Sequence, residues 1–152
     1  MSIRTTTLVS AALIAVIAAG TALAADPIET RKKTMKAIGG SFGGVLVKML
    51  KGEIPYDAAV AKKAATTLNE TAAGIDIAAL FPKGSEKGGE TEALPAVWSD
   101  AAGFKAAMDK MKSTIAAQAG NVDQGADKLK MAVAEIGKTC KGCHDTYRAQ
   151  KP

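Results

Sequence analysis

The only Cys and His side chains in this 152-residue chain stand together in one string, Cys140-Lys141-Gly142-Cys143-His144. C-x-x-C-H is the attachment signature of a c-type haem. Residues three and four apart share a helix face, so both thiols can form thioethers with the porphyrin vinyl groups while the His144 imidazole turns onto the iron. Such ligation leaves the other face of the iron to whatever side chain stands there, which decides between electron transfer and small-ligand binding. Two other chemistries use these residue types. A structural zinc needs four ligands, so a carboxylate would have to complete the set. A dithiol redox pair normally opens a helix in a strand-helix-strand unit, and no strand pattern is present. One haem c, covalent through Cys140 and Cys143, accounts for the string best.

The string lies in an apolar seam. Leu129, Val133, Ile136, Cys140, Cys143 and Tyr147 step four, three, four, three, four, the spacing of a bundle helix. The haem cysteines therefore share a face with core residues, which puts haem inside a bundle near one end. Asp26-Pro27 opens a first helix, whose stripe is Ile28, Arg31, Met35, Ile38, Phe42, Val45 and Met49. Arg31 occupies a core position, and a buried cation needs a partner. Haem propionates would satisfy it; snorkelling to solvent would remove the need. Gly39, Gly40, Gly43 and Gly44 each cost this helix up to about 1 kcal/mol relative to Ala. Close approach of another helix or of a partner subunit would offset that, and a local kink is the other explanation.

Gly52 ends the first helix and Asp57 caps a second, an Ala-rich stretch to Ala73 with Val60, Leu68 and Ile75 as larger members and weak periodicity. Ile75 to Phe81 reads as a short helical turn stopped by Pro82. Pro95 and Ser99 or Asp100 offer starts for a third helix, which carries Phe104, Met108, Met111 and Ile115 to Gly120-Asn121, and Asp123 caps the fourth. The fold class is all-α. Lys83 to Pro95 is the one long loop, and a loop of that length in a small domain is often functional. Its glycines do not follow the phosphate-binding pattern.

Arg4, the apolar run Leu8 to Ala19 and the site Ala22-Leu23-Ala24 make residues 1–24 a cleaved signal peptide. The run is shorter than the roughly 20 residues a membrane span needs. A single domain, residues 25–152, is then expected in the periplasm, with no membrane association after cleavage. The formal net charge is +5, but Lys is spread along every segment, which reads as a solvated surface and not as a nucleic-acid site. Such a charge can steer an acidic redox partner. No nucleophile with a paired base is visible once the only His is on iron, so an enzyme is not expected.

The order of motifs is more specific than the haem string alone. Arg31-Lys32-Lys33-Thr34-Met35-Lys36, the turn Lys51-Gly52-Glu53-Ile54-Pro55-Tyr56-Asp57, the loop Gly88-Gly89-Glu90-Thr91, Trp98 and finally Cys140 to Arg148 resemble a class II cytochrome c, the cytochrome c-prime family. The resemblance implies an antiparallel four-helix bundle with one covalent haem, often a homodimer pairing its first two helices. It implies His144 as proximal ligand, Arg31 and Lys32 near the propionates, Glu90 near the haem edge and Arg148 near the proximal imidazole. The family divides at the position of Met35. In the low-spin branch a methionine there ligates the iron; in the five-coordinate branch the residue only shields it, and nitric oxide or carbon monoxide binds. Met35 stands one turn, roughly 6 Å, beyond Arg31, and Met35-Lys36-Ala37-Ile38-Gly39-Gly40 resembles the low-spin branch more. The expectation is a single-electron carrier for periplasmic redox partner proteins, its iron held by His144 and Met35. The alternative is a five-coordinate gas binder.

Overall fold

Asp26 turns the chain into its first helix: its Oδ1 accepts the Ile28 N–H at 2.8 Å, and Pro27 fills the first turn, where a missing N–H costs nothing. The computed structural model describes residues 26–150; the expected signal segment, residues 1–24, lies outside the described residues. Helix α1 (Pro27–Ser41) runs on into a π-helical turn (Phe42–Val47) and a last short turn, α2 (Lys48–Leu50). The wider π turn moves the seam by one residue. Leu46, not the expected Val45, is fully buried, while Val45 is half-buried. A methyl added at Gly39, Gly40, Gly43 or Gly44 would meet nothing within 4 Å. Among the described residues no close approach therefore demands these glycines, and the irregularity they accompany is the π turn that contains Gly43 and Gly44.

Gly52, at φ +73, stops the rod in the left-handed conformation that glycine adopts without penalty. Asp57 then caps α3 (Ala58–Ala73) by accepting the Val60 N–H at 2.9 Å. Its buried face is Ala61, Ala64, Ala65, Leu68 and Ala72, whereas Val60 is exposed. Alanine carries little apolar signal, which is why the facing of this helix was illegible. After α4 (Ile77–Leu80) and the long loop, the chain uses both expected starts: α5 (Ala96–Ser99) follows Pro95, and Asp100 caps α6 (Ala101–Gln118). Phe104, Met108, Met111 and Ile115 are all buried on α6, as their spacing predicts. The last helix, α7 (Ala126–Tyr147), is a correction at its start. Gly125, at φ +107, precedes it without a side-chain cap, and Asp123 instead pairs with Lys62 at 3.5 Å.

The rods pack in sequence, α1 on α3, α3 on α6 and α6 on α7, and the π turn and α2 close the ring against α7. The result is an antiparallel four-helix bundle. The end holding the α7 C-terminus is tied by rings packed edge to face, Phe81 on Phe104 at 4.8 Å and Phe104 on Tyr147 at 5.2 Å. The Tyr147 hydroxyl donates to Asp100 Oδ2 at 2.7 Å. That bond, with the Gly103 N–H behind it, holds the Asp100 carboxyl below its ordinary range and pushes Tyr147 up to about 12. A methyl on Gly103 would come within 2.2 Å of Asp100 Oδ2 and 2.6 Å of the Tyr147 hydroxyl oxygen. Gly103→Ala is expected to expel the carboxylate and lower Tm by about 5 °C at neutral pH. Because the folded pKa of Asp100 lies below its unfolded value, the contribution exists above the usual carboxylate range and is lost as pH falls through the depressed value. Thermal melts of the two proteins should therefore converge in acid.

Candidate functional site

Helix α7 presents the C-x-x-C-H string by its own periodicity. Lys141 and Gly142 are exposed, Cys143 is buried, and Cys140 and His144 are half-buried on the same side. The two thiols are free, not joined to each other. Burial pushes both of them up, so both are protonated at neutral pH. Desolvation pulls the His144 imidazole down, and the Arg148 cation adds to this against Glu92 and Asp145. The neutral imidazole so favoured is the form that offers a lone pair to a metal. Among the described residues no three His, Cys, Asp or Glu side chains gather as a metal cluster, which leaves the zinc reading without its carboxylate.

Met35 reaches this level from the opposite rod. Phe42 packs across to α7, where a methyl on Gly137 would stand 3.5 Å from Phe42 Cζ. In antiparallel helices, seven residues back from Phe42 and seven forward from Gly137 both travel about 10 Å. Met35 and His144 therefore lie at the same height in the bundle. Met35 is half-buried against the core, and Ile38 is buried one turn nearer Phe42. α1 leans on α3 and α4, while α7 meets the first rod chiefly at the π turn and α2. The two helices thus diverge toward the end that carries Met35 and His144.

Arg31 is 4% exposed, so it does not snorkel. Protein acceptors surround it. Its Nη1 donates to the Leu80 carbonyl at 3.3 Å and Ser85 Oγ at 3.0 Å, and its Nη2 donates to the Ser85 carbonyl at 2.8 Å and Thr91 Oγ1 at 2.6 Å. The guanidinium also lies 5.2 Å from the Phe81 ring centroid and 5.6 Å from that of Trp98. Desolvation lowers its pKa, opposed by Asp26 and Glu86, yet a guanidinium stays charged. Lys32 and Glu90 are exposed on the rim. Lys32 bonds Glu29 at 2.8 Å, which raises its pKa, and Glu90 adds a smaller push in the same direction. Arg148 donates from Nε to Glu92 at 2.6 Å. Ser85 was not singled out in the sequence, and Thr91 stood there only as the end of the Gly88-Gly89-Glu90-Thr91 string. The signal was there: a cation on a core stripe needs acceptors, and these are the only hydroxyls in the loop from Lys83 to Pro95.

A bundle whose last helix turns two unpaired thiols and a neutral imidazole to one inward side has the donor set for covalently attached haem. A family model described as Cytochrome C' matches residues 26–148, and the chain belongs to that family. It accordingly carries one covalent haem c, through Cys140 and Cys143. A cytochrome c' of Rubrivivax gelatinosus is 42% identical over 128 residues, covering 81% of this chain and 94% of its own. A cytochrome c-556 of Agrobacterium fabrum is 36% identical over 151 residues, covering 99% and 100%. Among solved structures, a nitric oxide complex of a cytochrome c prime variant from Alcaligenes xylosoxidans superposes with a TM-score of 0.71 at 34% identity, over 83% of this chain and 95% of that one.

Proposed function

We propose that this cytochrome binds a small gas, nitric oxide or carbon monoxide, at its haem, with His144 as proximal ligand and Met35 shielding the opposite face. The observation that carries the reading is the nitric oxide complex of a relative with this fold and 34% identity. When bound, haem c would supply an iron able to change by one electron and to take a small ligand. The chain's own part is to hold and to shield. Cys140 and Cys143 anchor the group, desolvated His144 presents its lone pair, and the thioether of Met35 keeps the facing side apolar. Export through residues 1–24 would place the protein in the periplasm. Homodimer formation would use the open faces of α1 and α3, where Gly40, Ser41, Val45 and Val60 border a shallow groove. No bound organic substrate is transformed in this reading.

A second reading has its own support. Met35 stands on the first helix at about the level of His144, and if its thioether took the iron the protein would shuttle single electrons between periplasmic partners. The absorption spectrum of purified ferric holoprotein separates the two. A high-spin spectrum, with carbon monoxide bound on reduction, is the expected result. A low-spin spectrum with no response to carbon monoxide would transfer the function to electron carriage.

A further inference from the structure

The long loop is held from both sides of the bundle. Arg31, in α1, takes residues 85–91 of it at both ends, through Ser85 and Thr91. Gly88 and Gly89, at φ +101 and +55, lay their backbone on Ile28, so closely that a methyl on Gly89 would stand 3.3 Å from Ile28 Cγ2. Residues 92–94 belong to the end of α7. The Leu94 N–H donates to the Tyr147 carbonyl at 3.0 Å, and the Ala149 N–H donates to the Glu92 carbonyl at 2.7 Å. The Glu92 carboxylate takes Arg148.

One stretch of chain thus joins the beginning of α1 to the end of α7. Those are the helices that carry Met35 and His144, and they are joined at the end where they diverge. Arg31 sits one turn before Met35, and Tyr147 and Arg148 follow His144 by about one turn. Only a planar fork reaches two hydroxyls and two carbonyls from one side chain, so a lysine could not replace the contact.

We propose that residues 83–95 form a strap that sets the spacing of α1 and α7, and that Arg31 is the positioning residue that latches it, fixing Met35 relative to His144. The strap governs how fast a gas enters between those helices. Only this last step rests on the gas-binding reading.

The test uses holoprotein carrying Arg31→Lys, which keeps the charge and loses the fork, and Thr91→Val, which loosens the latch from the loop side. Lys33→Gln, on an exposed position of α1, is the control. Two quantities are read: tryptic cleavage after the exposed Lys83 and Lys87, followed by mass spectrometry, and carbon monoxide association to the ferrous protein after flash photolysis. With far-UV circular dichroism unchanged, Arg31→Lys should accelerate cleavage about tenfold, in line with a lowered cost of local opening, and carbon monoxide association severalfold. Thr91→Val should do so less, and Lys33→Gln not at all. Wild-type cleavage rates in both latch variants would overturn the strap. Faster cleavage with unchanged association would overturn the positioning role. If no form of the protein takes carbon monoxide, the gas-binding reading fails by itself. The latch is then judged on whether Arg31→Lys raises the high-spin fraction of the ferric spectrum, and an unmoved fraction would overturn it.

Discussion

Replacing Cys140 and Cys143 together by Ser should leave no haem on the chain after denaturation, so that the haem-stained band vanishes from a denaturing gel while the protein band remains. A thioether survives unfolding; an imidazole bond from His144 alone does not. Each single substitution should leave one thioether and a lower yield of holoprotein. Stability should follow attachment, because a group that binds only the folded bundle stabilises it by mass action. The bundle end tied by Phe81, Phe104 and Tyr147 remains, but the seam around Cys143, itself only 8% exposed, loses its large apolar neighbour. A fall in Tm on the order of 10 °C is expected by differential scanning calorimetry. Full covalent haem in the double variant would sink the attachment of haem through these two sulfurs.

Met35→Ala should give the second large effect, at the opposite side of the site. If Met35 is a shield, the ferric spectrum stays high-spin and carbon monoxide association to the reduced protein rises about tenfold, since truncation removes the apolar body that a ligand must pass. If Met35 is a ligand, the same substitution turns a low-spin spectrum high-spin and makes the iron accessible for the first time. Either way the fold should tolerate the change. A half-buried methionine should cost about 1–2 kcal/mol on truncation, below the 2–5 kcal/mol of a fully buried one. A spectrum and a carbon monoxide rate both unmoved by the substitution would remove Met35 from the iron face.

The apolar seams were legible because their spacing repeats and their members are large. Phe104, Met108, Met111 and Ile115 on α6, and Leu129, Val133 and Ile136 on α7, are buried as their order along the chain requires. The Asp26 and Asp57 caps and the Gly52 stop could be read for the same reason: each is a local bond or a local backbone angle. Three features escaped. The inner face of α3 is alanine and carries no contrast against its surroundings. The exchange of Val45 for Leu46 follows from a π turn, which changes the period that the stripe assumes. Gly125 starts α7 through its backbone angle alone, so the acidic Asp123 was a false cap.

Haem chemistry was determined by the sequence, since C-x-x-C-H states which atoms bond and the helical period states that they share a side. The placement of the rest was decided by tertiary structure. A stripe shows that Arg31 faces inward but not what it meets, because its partners Leu80, Ser85 and Thr91 stand about 50 to 60 residues away and nothing periodic connects them. The same holds for Met35 and His144. Each lies on a readable helix, yet their common height follows from Phe42 meeting Gly137, a contact that exists only once the antiparallel rods have packed. Local bonding and repeat spacing are carried along the chain; the register between rods is set by side chains interlocking across it, and no single segment contains that information.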